Sequence, residues 1–176
     1  MRILITGKAG SGKTTQAKIL AKKLSLCFIG AGEIFRNKSL EENQIGKTLK
    51  KDLEKGILID NKIASELIKE KVQNSSCPFG YIFDGYPRDL DQLQYFDPQF
   101  DKVIVLEVSD ETLTERLTKR GRFDDTEEAI NKRLEIFQTE TSAVINHYQN
   151  LGIVLKIDGE KSEEEVSEEI EEKINE

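Results

Sequence analysis

The sequence is poor in the residues that build metal centres and disulfide frameworks. It has two cysteines and one histidine among 176 residues. Cys27 and Cys77 stand far apart with no C-x-x-C pair, so the common zinc spacings are excluded. Two buried, reduced thiols are expected, and with them a cytoplasmic location. His147 stands alone and reads as a surface or helix-packing residue. No apolar run approaches the ~20 residues of a membrane span, and MRILITG meets a glycine too early for a secretory signal. Positive charge is in deficit: 26 Lys and Arg face 33 Asp and Glu, a net −7. That balance argues against a general nucleic-acid binder, which carries a basic face. Internal repeats and low-complexity linkers are also missing. So is the N-K-x-D guanine motif: NKIA at 61–64 and NKRL at 131–134 both lack the aspartate.

What is there is the pattern of one α/β domain. Short apolar runs at 2–6, 26–30, 80–85, 102–108 and 152–158 read as five strands buried on both faces. Helical periodicity fills most gaps, which points to a parallel sheet. Residues 31–74 contain no strand and read as helices inserted on that scaffold, the third N-capped by Asp60. Further helices are expected near 89–96, near 110–120 and, as one long element, near 126–149, with Asp125 and Glu128 as its capping box. In the last helix Val166, Ile170 and Ile174 recur every four residues, a stripe that docks on the sheet.

GKAGSGKT, Gly7 to Thr14, matches G-x-x-x-x-G-K-[ST] between a strand and a helix, the context the motif requires. Glycines at 7, 10 and 12 let the backbone turn its N–H groups onto an anion. The next helix adds its positive end. Lys13 brings a full charge to the β- and γ-phosphates, Ser11 and Thr15 complete the loop, and Thr14 offers a hydroxyl to Mg2+. Asp84 closes an apolar strand and is the expected carboxylate partner of that metal. One stretch runs against the acidic balance: ERLTKRGRFDD, 115–125, gathers Arg116, Lys119, Arg120 and Arg122.

Four further segments resemble the adenylate kinases and related nucleoside monophosphate kinases. GYIFDGYPRDLDQ (80–92) is similar to their G-F-x-x-D-G-F-P-R-T-x-x-Q, and GAGEIFR (30–36) to S-T-G-D-L-L-R. KGILID (55–60) resembles x-G-x-L-V-P/D, and RFDDTEEAINKRLEIF (122–137) resembles R-x-D-D-x-x-E-T-x-x-x-R-L-x-x-Y. The matches are collinear and span nearly the whole chain. The resemblance implies a P-loop NTPase fold, three layers α/β/α with a five-stranded parallel sheet, in which 31–74 binds the monophosphate and 116–125 is a reduced lid. It implies reversible phosphoryl transfer from MgATP to a nucleoside monophosphate. Lys13, Arg88, Arg120, Arg122 and Arg133 would surround the moving phosphoryl group, and Arg116 would stack on the donor adenine. Arg36 and Arg88 would hold the acceptor phosphate. Ala31, Gly32, Ile57, Leu58, Ile59 and Gly85 would line the acceptor site, and Gln92 would read its base.

The chain departs from the family at four places. Thr14 stands where adenylate kinases have glycine and restores the general metal-binding hydroxyl. Ala31 resembles UMP/CMP kinases, whereas Gln92 matches the adenine reader. Gln92 weighs more, because an amide discriminates bases better than a missing hydroxyl does. Asp89 replaces a threonine beside Arg88, where pairing would weaken the grip on phosphate. Only Gly121 separates Arg120 from Arg122, where many relatives insert a lid that sometimes holds zinc. No zinc is therefore expected, and loose selection of the donor base is. The readings in order are an AMP kinase, a UMP/CMP or broad-acceptor kinase, and an ATP-hydrolysing switch.

Overall fold

Residues 1–175 are described by a computed structural model. The chain runs β1 (Arg2–Gly7), α1 (Lys13–Lys23), β2 (Cys27–Gly30), α2 (Ala31–Lys38), α3 (Gln44–Lys55), α4 (Asn61–Gln73), β3 (Tyr81–Asp84) and α5 (Gln92–Tyr95). It continues through β4 (Lys102–Glu107), α6 (Asp110–Arg120), α7 (Glu127–Ile136), a π-helical turn (Phe137–Thr141), α8 (Ser142–Asn150), β5 (Val154–Asp158) and α9 (Glu163–Asn175). All five strands are parallel, in the order β2-β3-β1-β4-β5.

Alternation along the strands divides the core in two. Ile3 and Ile5 of β1, with Ile104 and Leu106 of β4, face α1 and α9, where Ala17, Leu20, Val166, Ile170 and Ile174 meet them. Leu4, Val103 and Val105 point the other way, toward Ile68 of α4 and Val144 and Tyr148 of α8. Each fully buried aliphatic side chain contributes about 1.5–3 kcal/mol, so two dry interfaces hold the three layers together. The α9 stripe docks here as its spacing predicts. A third, smaller cluster of Leu49, Leu53, Ile59 and Ala64 binds α3 to α4.

The long helix expected at 126–149 is instead α7, the π-helical turn and α8. Its cap is Thr126, whose Oγ1 accepts from the Ala129 N–H at 3.2 Å. The expected cap, Asp125, is taken up by arginines, a stronger claim on a carboxylate. The helix expected near 89–96 shrinks to α5.

The cysteine expectation is corrected outright. Cys27 and Cys77 form a disulfide, with their Cα atoms 5.6 Å apart. They meet because β2 and β3 pair in parallel: Cys27 registers with Tyr81, and its N–H donates to Gly80 O at 3.0 Å. The turn entering β3 thus returns to the start of β2. The argument from cysteines to a reducing compartment falls away with the free thiols. Among the described residues, no helix is long and apolar enough to cross a membrane.

The bond spans a separation of 50 residues and encloses α2, α3 and α4. Closing a loop of that size restricts the unfolded chain, so reduction should lower stability by about 2–4 kcal/mol. Urea midpoints with and without dithiothreitol measure this. Cys77→Ser should match the reduced wild type and show no response to reductant.

Candidate active site

The site lies at the carboxyl ends of the strands, where open parallel sheets bind ligands. β1 delivers Gly7 there. Its neighbour β3 delivers Asp84, in register with Ile5. The loop between β1 and α1 is compressed against α6: a Cβ on Gly10 would stand 3.0 Å from Leu117 Cγ and 3.1 Å from Leu113 O. Gly10 and Gly12 both adopt positive φ, 88° and 85°, which only glycine takes up without strain. Lys13 opens α1 and folds back, its Nζ donating to Lys8 O at 3.2 Å. Burial lowers its pKa to about 8, helped by Arg88, Arg120 and Arg122 and opposed by Asp84.

Thr14 Oγ1 donates to Asp84 Oδ2 at 2.5 Å. Asp84 is 8% exposed, and its Oδ1 is buried without a partner. A buried, unmatched carboxylate oxygen is costly. Beside a threonine hydroxyl it suits a hard cation. No cluster of three or more His, Cys, Asp or Glu occurs among the described residues, and Mg2+ needs none when water and substrate phosphates complete its shell.

Two aspartates organise the arginines. Asp125 Oδ2 accepts from Arg120 Nε at 2.7 Å, and Oδ1 from Arg120 Nη2 at 2.5 Å and Arg133 Nη1 at 3.1 Å. Asp124, 1% exposed, takes Arg133 Nη2 at 2.6 Å and stands 3.7 Å from Arg36 Nη1. Burial would raise the Asp125 pKa, but the hydrogen bond and charge of Arg120, with Arg133, hold it below the ordinary carboxylate value. Arg88 has no carboxylate on its guanidinium; its Nε donates to Gly85 O at 3.1 Å. Burial lowers its pKa, Asp84 opposes this, and Arg133, Arg36 and Arg120 add to the lowering. Such a cluster of cations is built to receive anionic charge.

A cavity and a groove meet on this cluster. The cavity is walled by Arg36, Ile57, Leu58, Ile59, Arg88 and Gln92, with Gly32, Gly85 and Arg133 on its lining. The groove runs along Gly10, Ser11, Gly12 and Thr15 to Arg116, whose Nη2 donates to Gly159 O at 3.0 Å. Lys13, Thr14, Arg120 and Arg122 line both. Nearly all the residues singled out in the sequence therefore converge. Ala31 does not reach the lining: it is 1% exposed and packs in the core below. Asp89 is not paired with Arg88. Its Oδ2 accepts from Asn61 Nδ2 at 2.7 Å and its Oδ1 from the Asp91 N–H at 2.9 Å.

Sequence reasoning missed Thr141. It is 3% exposed, lines the cavity, and its Oγ1 donates to Arg88 O at 3.1 Å. It lies in the π-helical turn, an irregularity common at functional sites, and no composition cue marks that turn. Phe137, at the other end of the turn, lines the same cavity.

A phosphate loop that shares its lysine between two anion-receiving spaces defines a class, the nucleoside monophosphate kinases. The sequence profile of the family described as Adenylate kinase matches residues 5–153. The chain is 34% identical over 176 aligned residues to Adenylate kinase 1 of Nostoc sp. (strain PCC 7120), covering 96% of each chain. It is 33% identical to an Adenylate kinase of Corynebacterium urealyticum, again over 96% of each. With an Adenylate kinase of Caldanaerobacter subterraneus it shares 30% identity over 208 aligned positions, covering 97% of this chain and 94% of the relative. That alignment is longer than this chain, so the relative carries residues without a counterpart here. The chain belongs to the adenylate kinase family. It is an enzyme that transfers a phosphoryl group from ATP to a nucleoside monophosphate.

Proposed function

We propose that AMP is the acceptor and that the reaction is ATP + AMP = 2 ADP, reversible. The carrying observation is that Lys13, Arg120 and Arg122 line both the cavity and the groove. ATP lies along the groove with its adenine against Arg116 and its phosphates on the loop from Gly7 to Thr15. AMP lies in the cavity, its phosphate on Arg36 and Arg88 and its base between Gln92 and the Ile57–Ile59 wall. The reacting ends then meet at Lys13, Arg120, Arg122 and Arg133.

The catalysis is positioning and charge stabilisation. Phosphoryl transfer needs little covalent help, and its transition state spreads negative charge over three oxygens. Arginine forks bind such oxygens bidentately and stay charged. Thr14 and Asp84 would hold Mg2+, which bridges and neutralises phosphate oxygens when bound. No general base is assigned.

In this reading residues 31–74 form the acceptor-binding part and 116–125 the lid. α6 stops at Gly121 and α7 starts at Glu127, so little chain is available to cover a donor base. ATP, GTP and CTP should therefore act as donors with kcat/KM values within about 100-fold of one another. A donor series at fixed AMP measures it; a preference for ATP by many orders of magnitude would contradict it.

The rival reading is an ATP-hydrolysing switch, which needs no acceptor. ATP consumption with and without AMP separates the two. AMP-dependent formation of two ADP per AMP is expected, and ATP loss indifferent to AMP would contradict the proposal.

A further inference from the structure

The cavity's base reader is fixed in one orientation, and that orientation sorts bases by chemistry. Gln92 is 3% exposed, and its Oε1 accepts from the Arg88 backbone N–H at 2.8 Å. A backbone N–H can only donate, so the amide cannot be flipped without setting two donors face to face. Both ends of this contact are held. Arg88 O accepts from the buried Thr141 hydroxyl at 3.1 Å. The Gln92 N–H donates to Asp89 O at 3.2 Å, and the Gln92 carbonyl lies 3.1 Å from the hydroxyl of the buried Tyr86. Asn61, at the start of α4, holds the Asp89 side chain from the opposite wall. Among the described residues Gln92 Nε2 has no hydrogen-bond partner, and Gln92 lines the cavity.

We infer that this acceptor site selects amino bases, adenine first and cytosine second, and discriminates against the oxo bases uracil and guanine. The inference rests on the monophosphate-kinase reading and on Gln92 facing the acceptor base. The fixed amide presents an N–H donor beside the remaining lone pair of Oε1. Its complement is a ring nitrogen that accepts beside an exocyclic amine that donates. Adenine N1 with N6, and cytosine N3 with N4, form that pair. Uracil N3–H with O4, and guanine N1–H with O6, form its reverse and would require the flip that the Arg88 N–H forbids. The two orders suggested by Ala31 and Gln92 are thereby reconciled in part: a pyrimidine is admitted, but it is the aminated one. Cytosine falls below adenine because one ring contacts less of the apolar wall.

Specificity constants for AMP, CMP, UMP and GMP with MgATP test this in the wild type, Gln92→Glu and Gln92→Met. In the wild type CMP should exceed UMP by about 10- to 100-fold, the consequence of a buried donor left facing a donor. Gln92→Glu keeps the acceptor for Arg88 N–H but turns the presented donor into an acceptor, so the CMP/UMP ratio should fall at least about 10-fold. Gln92→Met removes the polar edge and should bring the ratio near one. UMP equal to or better than CMP in the wild type, or a ratio unchanged in both variants, overturns the inference while transfer to AMP leaves the broader reading intact. Absence of transfer to AMP overturns both.

Discussion

Lys13→Met should abolish useful turnover and make the protein more stable. The lysine is the one cation that lines both spaces from the phosphate loop itself, and its ammonium acts where charge develops. Loss of one such group costs about 10²–10³-fold in kcat. The stability gain has a separate cause. Burial among three arginines lowers the Lys13 pKa from 10.5 to about 8. Below pH 8 the folded protein therefore holds a charge its surroundings disfavour. At about 1.4 kcal/mol per pKa unit, reduced for the residue's remaining solvent contact, relief amounts to about 1–3 kcal/mol. That corresponds to a rise in Tm of roughly 3–8 °C for a chain of this size.

The pH dependence follows from linkage. Between about 8 and 10.5 the unfolded chain binds a proton at Lys13 that the folded one has released. Wild-type stability from this group therefore rises with pH across that window. The advantage of Lys13→Met is full below pH 8 and closes by about 10.5. Thermal unfolding of both proteins at pH 7 and pH 10 checks it. A variant less stable than wild type at pH 7 would show that the Lys8 carbonyl contact outweighs desolvation.

Asp125→Ala should do the opposite to stability. Its side chain is 3% exposed and ties Arg120 to Arg133. Truncation leaves two guanidiniums without their shared carboxylate beside Arg122, Arg88 and Lys13. Breaking a buried pair of this kind costs about 3–5 kcal/mol, and the partial exposure of Arg120, 25%, brings the expectation to about 2–4 kcal/mol. Turnover should fall about 100-fold because the arginines lose their aim. A purely structural aspartate would give a variant indifferent to anions. Here pyrophosphate should raise the variant's Tm more than the wild type's, since it supplies the missing negative charge. Urea and thermal unfolding with and without pyrophosphate measure both effects. In acid the wild type loses this contribution as pH falls below the ordinary carboxylate value, because the folded pKa is depressed; the variant should lack that loss.

What could be read in advance was local in sequence. Gly7 to Thr14 folds as written because loop, lysine and hydroxyl are neighbours, and Asp84 was legible because a strand of known period ends on it. Arg36, Arg88 and Gln92 required segments in motif register, and the sheet then brought them together. The failures were contacts between distant residues. No spacing rule pairs Cys27 with Cys77; the parallel register of β2 and β3 does. Asp125 competes for two roles, and charge-assisted bonds to Arg120 and Arg133 outweighed the helix cap, which fell to Thr126. Asp89 found Asn61 across the cavity rather than its neighbour Arg88. Thr141 reaches Arg88 from a π-helical turn that periodicity smooths into an unbroken helix.

The central claim is that one chain moves a phosphoryl group between two adenine nucleotides held on a shared arginine and lysine cluster. Phosphorus NMR of the protein with Mg2+ and ADP alone tests it most directly. The account predicts ATP and AMP appearing in equal amounts, with no inorganic phosphate, until equilibrium is reached. ADP left unchanged, or phosphate released without ATP, would contradict it.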